Sequence, residues 1–333
     1  MTAVATTTRP ARTGRVRIGN LLRRSAVFLF LILLMAYFAS SSDRFFTTGN
    51  LINVAQQNAS VIIVTVGMTL TLLTGGIDLS VGSVAALAGA ISAGLIVRNG
   101  LPFELSAPLT LALGFGLGLV NGGLVVFGKL PPFIATLAMM GVARGLTLLY
   151  TEGRPISGLG DTYTFWGRGV VPVPLLGDVP APVLVALAVV LVFAALLSAT
   201  RFGLHIYAIG GGEETSRLAG VNVNRVKLLV YGLSGMLAAL AGILLTARLF
   251  SAQPQVAVGL ELQAIAAAVL GGVSLFGGVG NVWSAVVGGF LMGVLGNGMN
   301  LLRIASYQQQ MIQGVVLVFA VTVDMYLKRL EGR

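Results

Sequence analysis

The sequence contains no cysteine and a single histidine, His205. The absence of thiols excludes disulfide bonds, thiolate metal sites and cysteine nucleophiles, and one imidazole cannot build a histidine-rich metal centre. Charged residues make up only 10% of the 333 residues, whereas a soluble domain carries roughly 25%. Hydrophobic residues make up 56%, and the mean hydropathy is +0.92. These values predict an integral membrane protein with an all-α fold.

Acidic residues are also few, which leaves a formal net charge of +10. In a membrane protein this excess does not indicate nucleic acid as a partner, because Lys and Arg collect in cytoplasmic loops beside membrane lipid. Residues 1–24 form a basic tail without acids, and the apolar run SAVFLFLILLMAYFAS follows. A secretory signal or an Arg-rich transit peptide has a similar pattern, but no A-x-A cleavage site ends the run. We therefore interpret it as an uncleaved first span.

A crossing of the bilayer needs about 20 apolar helical residues, and the sequence offers ten such stretches. The third and eighth are bounded by glycines, which is also consistent with broken or re-entrant helices. Small residues at helical spacing, such as Gly114, Gly118 and Gly122, predict close helix packing. The ten stretches lie at 25–42, 52–74, 80–98, 106–127, 133–150, 182–200, 227–247, 258–274, 283–302 and 309–327.

Ten spans with a basic tail inside place both termini in the cytoplasm, and most of the 21 Lys and Arg residues then lie on the cytoplasmic side. We expect a single transmembrane domain at 25–327, with an ordered external loop at 151–181 that is too rich in Pro and Gly to be a helix. A cytoplasmic loop at 201–226 and a cytoplasmic tail at 328–333 complete the organisation. Arg144 in the fifth span is expected to snorkel to the outer surface.

The sequence offers no catalytic machinery. No set of paired carboxylates or Ser/His/Asp residues is present, so we predict no catalytic residues and no metal site. The segment GLVVFGKL, residues 123–130, resembles a phosphate-binding loop, but Leu130 replaces the Ser or Thr that would bind magnesium. We predict that the chain is not an enzyme and holds no cofactor of its own.

Two glycine-rich stretches resemble each other: GGIDLSVG at 75–82 and GGVSLFGG at 271–278. Paired breaks of this kind often bracket the pathway of a transporter. Asp78 is the only acid between Leu51 and Val97. It either caps the following helix or presents a polar group to the pathway, and the two roles are compatible.

The remaining polar side chains at membrane depth are mostly amides, which can hydrogen-bond a neutral polyol without imposing a charge. Each amide also has a structural alternative, hydrogen bonding between helices, and Glu261 could be a helix-start acid favoured by the helix dipole. The candidate pathway residues are Asp78 together with Asn53, Gln57, Asn121, Glu261, Asn297 and Asn300.

The segment RFGLHIYAIGGGEETSRLAG, residues 201–220, is polar between two long apolar runs. Its end predicts a short helix with acids in the first turn, an Arg that can pair with them, and a glycine stop. A two-turn helix is not stable alone in water, so we expect it to dock on a cytoplasmic protein. The candidate docking residues are Gly211, Gly212, Glu213, Glu214, Arg217, Leu218 and Gly220.

Several segments together resemble the ribose-type sugar ABC transporter permeases, which are relatives of the branched-chain amino-acid permeases. They are GGIDLSVGS, PPFIATLAMMGVARGLTLLYTEGRPI, RFGLHIYAIGGGEETSRLAGVNVNRVKLLVYGLSGMLAALAGIL, SAQPQVAVGLELQAIAAAVLGGVSLFGG and NGMNLL. The resemblance extends in order from about residue 50 to residue 327. It implies a bacterial inner-membrane importer with three kinds of component. These are two permease subunits, identical or different, a cytoplasmic ABC ATPase that holds ATP and Mg, and an extracytoplasmic sugar-binding protein.

The resemblance therefore predicts a permease that moves a neutral monosaccharide inward by alternating access, driven by a separate ATPase that engages residues 213–220. A branched-chain amino-acid ABC permease is the first alternative, and the amides weigh mildly against it. An ion-coupled secondary transporter is a more distant alternative, since it would need no docking helix.

Overall fold

The computed structural model of the chain describes residues 29–174 and 177–331. The predicted basic tail at 1–24 lies outside these residues. Helices dominate, and each of the ten predicted apolar stretches contains a helix. The elements in chain order are α1 (Leu29–Ser41), α2 (Thr48–Leu73), α3 (Val81–Val97), α4 (Phe103–Val126), α5 (Pro132–Thr151), β1 (Ile156–Ser157), α6 (Gly160–Arg168), β2 (Val170–Val173), β3 (Gly177–Pro180), α7 (Ala181–Ala199), α8 (Arg201–Gly211), α9 (Glu213–Leu218), α10 (Val223–Leu249), β4 (Ser251–Ala252), α11 (Leu260–Leu270), α12 (Val282–Leu301) and α13 (Ser306–Glu331).

Six of the described helices are long and apolar enough to cross a membrane: α2, α4, α5, α7, α10 and α12. Three further apolar helices are shorter, namely α1 within the described residues, α3 and α11. The chain is thus an all-α protein with several membrane-spanning helices. The two stretches that the sequence marked as interrupted, the third and the eighth, are the short helices α3 and α11.

Helix α10 is the central helix of the bundle and packs on α2, α3 and α4. A methyl group would not fit at Gly114 or Gly118 of α4, because the carbonyl oxygens of Gly235 and Tyr231 on α10 press against these positions. The predicted stripe of small residues on α4 therefore forms a close helix contact, as expected where helices pack in lipid. The main core consists of apolar side chains from α2, α10 and α11, with further residues from α3, α7 and α8.

The loop predicted to be external, 151–181, has regular structure in its described residues, and the expectation that it contains no helix is wrong. Residues Gly160–Arg168 form α6, and the ring of Tyr163 on this helix is completely buried. Phe103 packs edge-on against Tyr163 and stacks on Trp166. This aromatic contact stabilises a helix that the surrounding glycines and prolines do not indicate. Strands β2 and β3 form an antiparallel hairpin, and β1 pairs with β4.

The loop at 201–226 is also more helical than the sequence suggested. Helix α8 occupies its first half, and Thr200 caps it by accepting a hydrogen bond from the backbone N–H of Gly203. Ile206 and Ile209 of α8 are buried in the main core. Helix α10 begins at Val223, where the Asn222 side chain accepts from the N–H of Arg225. Helix α8, in the first half of the predicted loop, therefore packs against the helix bundle instead of extending away from it.

Candidate functional site

The predicted short helix forms as α9, Glu213–Leu218, between the last residue of α8 and the start of α10. Arg217 pairs with Glu213 at 3.3 Å and lies 3.8 Å from Glu214. Gly220 follows in the left-handed region, with φ of 85°, and this conformation suits a helix stop at low cost for glycine. The docking residues predicted from the sequence thus occupy one continuous surface segment.

Helix α9 is fixed by contacts at its N-terminal end, and its outer side is exposed. The ammonium group of Lys227 on α10 pairs with Glu213, and the Ser216 hydroxyl donates to the carbonyl oxygen of Gly212 at 2.8 Å. By contrast, the Leu218 side chain is 82% exposed. A leucine this exposed on a helix of six residues gains nothing from the chain's own core, so it is available to another protein.

Gly210, the second-last residue of α8, connects this surface to the membrane helices. A methyl group at Gly210 would overlap the carbonyl oxygen of Leu73 and the backbone nitrogen of Gly278. The N–H of Gly278 donates to the carbonyl oxygen of Leu73 at 2.9 Å, and Gly277 is also packed on Gly210. We call Leu73, Gly75, Gly210, Gly277 and Gly278 the glycine junction.

The glycine junction brings together the two stretches that resemble each other in the sequence. The first, 75–82, leads from α2 to α3, and the second, 271–278, leads from α11 toward α12. The Tyr207 hydroxyl of α8 adds a hydrogen bond of 2.9 Å to the carbonyl oxygen of Gly280. Burial raises the pKa of Tyr207, so its hydroxyl keeps the proton that it donates.

Asp78 is buried at 1% exposure in the first glycine stretch. Its carboxylate accepts hydrogen bonds from the backbone N–H of Ser80 at 3.0 Å, from the Ser80 hydroxyl at 2.6 Å and from the Ser234 hydroxyl of α10 at 2.8 Å. Ser80 immediately precedes α3, and its side chain does not cap the helix. The carboxylate therefore binds a backbone N–H at the helix start, and it also joins this start to α10.

Asn121 of α4 belongs to the same cluster, because its side-chain N–H donates to the Ser80 hydroxyl at 2.9 Å. Its side-chain oxygen and the hydroxyl of Tyr231 are buried without a hydrogen-bond partner among the described residues. Asp78 and Asn121 are the two predicted pathway residues that the structure brings together. Ser80, Ser234 and Tyr231 complete the cluster, and no short motif links Ser234 or Tyr231 to Asp78, because both lie far from it along the chain.

The remaining predicted pathway residues lie apart from this cluster. Asn53 is exposed and Gln57 is half-buried on α2. Asn297 exchanges two hydrogen bonds with Asn50, of 3.0 and 2.8 Å, while the exposed Asn300 accepts from Gln309 at 2.8 Å. Asn297 and Asn300 therefore make the interhelical contacts that are the structural alternative for amides in a membrane.

Glu261 is half-buried in the first turn of α11 and is packed against Gly82 of α3. The charge of Arg144 on α5 attracts it. Arg144 itself donates hydrogen bonds to the carbonyl oxygens of Pro254 at 2.7 Å and Val256 at 3.1 Å. Arg144 thus has a specific partner segment, in addition to any tendency to reach the surface.

Comparison with known proteins gives a consistent result. A family model described as "Branched-chain amino acid transport system / permease component" matches residues 50–321. The chain belongs to this permease family. It is 46% identical to the ribose import permease protein RbsC of Escherichia coli (strain K12) over 297 residues, which cover 88% of this chain and 91% of that protein.

Two further relatives extend the comparison. The ribose import permease protein RbsC of Bacillus subtilis (strain 168) is 43% identical over 312 residues, covering 93% of this chain and 95% of that protein. The D-allose transport system permease protein AlsC of Escherichia coli (strain K12) is 35% identical over 304 residues, covering 91% of each. No solved structure matches the chain significantly. These relatives confirm the predicted ribose-type family and, together with the apolar helices, a multi-pass protein of the bacterial cell (inner) membrane.

Proposed function

We propose that this chain is the permease subunit of a binding-protein-dependent ABC importer that moves a neutral monosaccharide into the cell. The observation that carries the proposal is the similarity to ribose permeases, which extends over nearly the whole chain. Alternating access supplies the mechanism, since a partner that binds one conformation more tightly shifts which side of the bilayer the central cavity faces.

The proposal includes ten membrane spans with both termini in the cytoplasm. The six long apolar helices account for part of this number, and α1, α3, α11 and α13 supply the others. An even number of crossings places 201–226 on the same side as the basic tail at 1–24 and as residues 328–333. The loop at 151–181 is then external.

The energy for transport comes from a separate ABC ATPase that holds ATP and Mg. The segment at 123–130 supports this division of labour, because it is not built as a phosphate-binding loop. Gly123–Val126 form the last turn of α4 instead of following a strand. Lys129 follows in a left-handed conformation with φ of 52°. A phosphate-binding loop has a different geometry, in which a strand leads into a glycine-rich loop and a helix.

The exposed side of α9 supports the interpretation of this helix as the ATPase-docking element. A movement of α9 would be transmitted through α8 to the glycine junction, where Gly210 contacts the end of α2 and the second glycine stretch. These contacts are between backbone atoms, so α8 cannot move far without moving the end of α2 and the second glycine stretch. We infer that the glycine junction transmits the ATPase cycle to α3 and α11.

The other partners in the proposal are an extracytoplasmic sugar-binding protein and a second permease subunit, identical or different. The test is uptake by proteoliposomes that contain the permease, its ATPase and its binding protein. Labelled ribose, allose, xylose and leucine are offered separately, with and without ATP. ATP-dependent uptake of a sugar supports the proposal, whereas uptake of leucine alone favours the amino-acid permease, and uptake without the ATPase favours an ion-coupled carrier.

A further inference from the structure

The chain between β4 and α11, residues 253–259, is not helical although helices surround it. Ala257 has φ of 60° and Gly259 has φ of 81°. The left-handed region is uncommon for alanine, so this segment follows a path that local preference does not favour. We call residues 253–259 the irregular segment.

The irregular segment reaches well into the depth of the bundle. There is no room for a methyl group at Gly82, because the carbonyl oxygen of Ala257 and the carboxylate of Glu261 press on it. Gly82 lies in the first turn of α3, one turn beyond Asp78, and Asp78 accepts a hydrogen bond from Ser234 in the middle of α10. Ser234 is about 16 Å from the start of α10 and about 22 Å from its end at 1.5 Å per residue.

The contacts of Arg144 place the irregular segment at a similar depth. Arg144 lies about 10 Å from the end of α5 and about 18 Å from its start. From this position it donates to the carbonyl oxygens of Pro254 and Val256, which non-helical backbone would otherwise leave without internal partners. Its charge also attracts Glu261, which lies two residues beyond the irregular segment.

This part of the chain is also open to its surroundings. The Val258 side chain is 57% exposed and that of Leu262 is 44% exposed, and Gln255 is exposed as well. Non-helical backbone at membrane depth does not face lipid, and it occurs only where protein buries it or where it borders water. Charged side chains at this depth follow the same rule.

We propose that the irregular segment and the first turn of α11 line the aqueous pathway of the transported solute. This inference rests on the proposed function and names the surface that the sugar passes. The surface offers the Gln255 amide for hydrogen bonding and an apolar patch at Val258 and Leu262. This combination suits a neutral polyol, whose hydroxyl groups bind amides while its C–H faces contact apolar side chains. Arg144 is a positioning residue that holds the irregular segment in place.

The chain has no native cysteine, so single cysteines can be introduced and labelled one at a time. Two exposed valines provide a matched pair for this test. Val258→Cys probes the proposed surface. Val192→Cys is the control, because Val192 is 59% exposed in the middle of α7, the most apolar of the six long helices. A charged thiol reagent that does not enter lipid is applied to the reconstituted complex. Thiol reactivity requires water and access, so we expect Val258→Cys to react about tenfold faster than Val192→Cys.

A second measurement links the surface to transport. Modification of Val258→Cys should block sugar uptake, whereas modification of the external Thr162→Cys should leave uptake intact. Reaction of Val258→Cys as slow as that of Val192→Cys, or full uptake after its modification, would overturn the proposal in favour of a surface covered by lipid or by a second subunit. The labelling rates require no transport, so a complex that moves no sugar would contradict the proposed function without removing this readout.

Discussion

The backbone N–H of Gly278 donates a 2.9 Å hydrogen bond to the carbonyl oxygen of Leu73. This bond joins the second glycine stretch to the end of α2, and Gly210 is wedged against both residues. Helices α8 and α9 and both glycine stretches therefore meet at one point. Coupling between an ATPase and the membrane helices needs contacts of this kind. Two distant sites influence each other through packed elements whose arrangement differs between the states of the protein.

The glycine junction gives the first prediction. Gly210→Ala adds a methyl group that collides with backbone atoms, whereas Gly141→Ala, in helix α5, meets nothing within 4 Å. Overpacking costs typically 1–3 kcal/mol, and the backbone must shift to relieve it. We expect sugar uptake to fall by about tenfold in Gly210→Ala and to stay within about twofold of wild type in Gly141→Ala. Equal uptake by both variants, at equal membrane levels, would show that the junction is passive packing.

The proposed docking helix, α9, gives a second prediction. Leu218→Pro removes an N–H donor from a helix of six residues and costs on the order of 3 kcal/mol, enough to melt α9. Exchanging Glu214 and Arg217 keeps the helix but reverses its charge pattern toward a partner. Both variants should reach the membrane normally yet lose substrate-stimulated ATP hydrolysis and uptake. Leu218→Ala shortens the side chain without breaking the helix, so it separates the effect of losing this side chain from the effect of losing the helix.

Wild-type uptake by Leu218→Pro, with the ATPase still bound, would contradict the docking role. Coupling would then run through another contact. Binding of the ATPase is measured separately by co-purification, so that loss of assembly and loss of coupling can be told apart.

Topology is the third prediction. Thr162 in α6 and Thr215 in α9 are both exposed, and the proposed ten spans place them on opposite sides of the membrane. A cysteine at Thr162 should react with an impermeant thiol reagent in intact cells, whereas one at Thr215 should react only after permeabilisation. Reaction of both from outside would require an even number of crossings between them and therefore a different span count.

A large part of the helical layout could be predicted from the sequence, because apolar length alone marks a helix in lipid. The sequence also located α3 and α11 as interrupted, since glycines bound both. Helices α6 and α8 were not predicted. Their sequences contain glycines and aromatics without a long apolar run, and tertiary contacts stabilise them: Phe103 on α6, and the core around Ile206 on α8.

The candidate site could be predicted only in part. The predicted docking residues lie in one short segment, 211–220, so the local pattern was enough to predict helix α9. Partners that lie far apart along the chain were not predictable: Asp78 meets Ser234 across 156 residues, and Arg144 meets Pro254 across 110. Such pairs depend on the register at which α3, α5 and α10 pack, and a single sequence does not encode that register in any short motif.

The near-match to a phosphate-binding loop gives the fourth prediction. Lys129 follows the end of a helix and has no magnesium ligand beside it, since Leu130 comes next. Lys129→Ala should therefore leave sugar uptake by the full complex within about twofold of wild type, because the ATPase alone supplies the energy. The purified chain should hydrolyse no ATP. Nucleotide binding by the purified chain that Lys129→Ala abolishes would contradict the proposed division of labour.

The Asp78 cluster gives the last prediction, which separates its two proposed roles. Asp78→Ala leaves the Ser80 N–H and the Ser234 hydroxyl without their acceptor in a buried place, and a buried polar group without a partner costs about 1–3 kcal/mol. Asp78→Asn keeps one carbonyl oxygen for Ser80, and its amide can donate to the Ser234 hydroxyl, which rotates to accept. If the carboxylate mainly fixes the start of α3, thermal unfolding in detergent should occur at a clearly lower temperature for Asp78→Ala than for Asp78→Asn. Uptake per folded molecule should then remain near wild type in Asp78→Asn. A stable Asp78→Asn protein that has lost uptake would instead show that the negative charge itself takes part in transport.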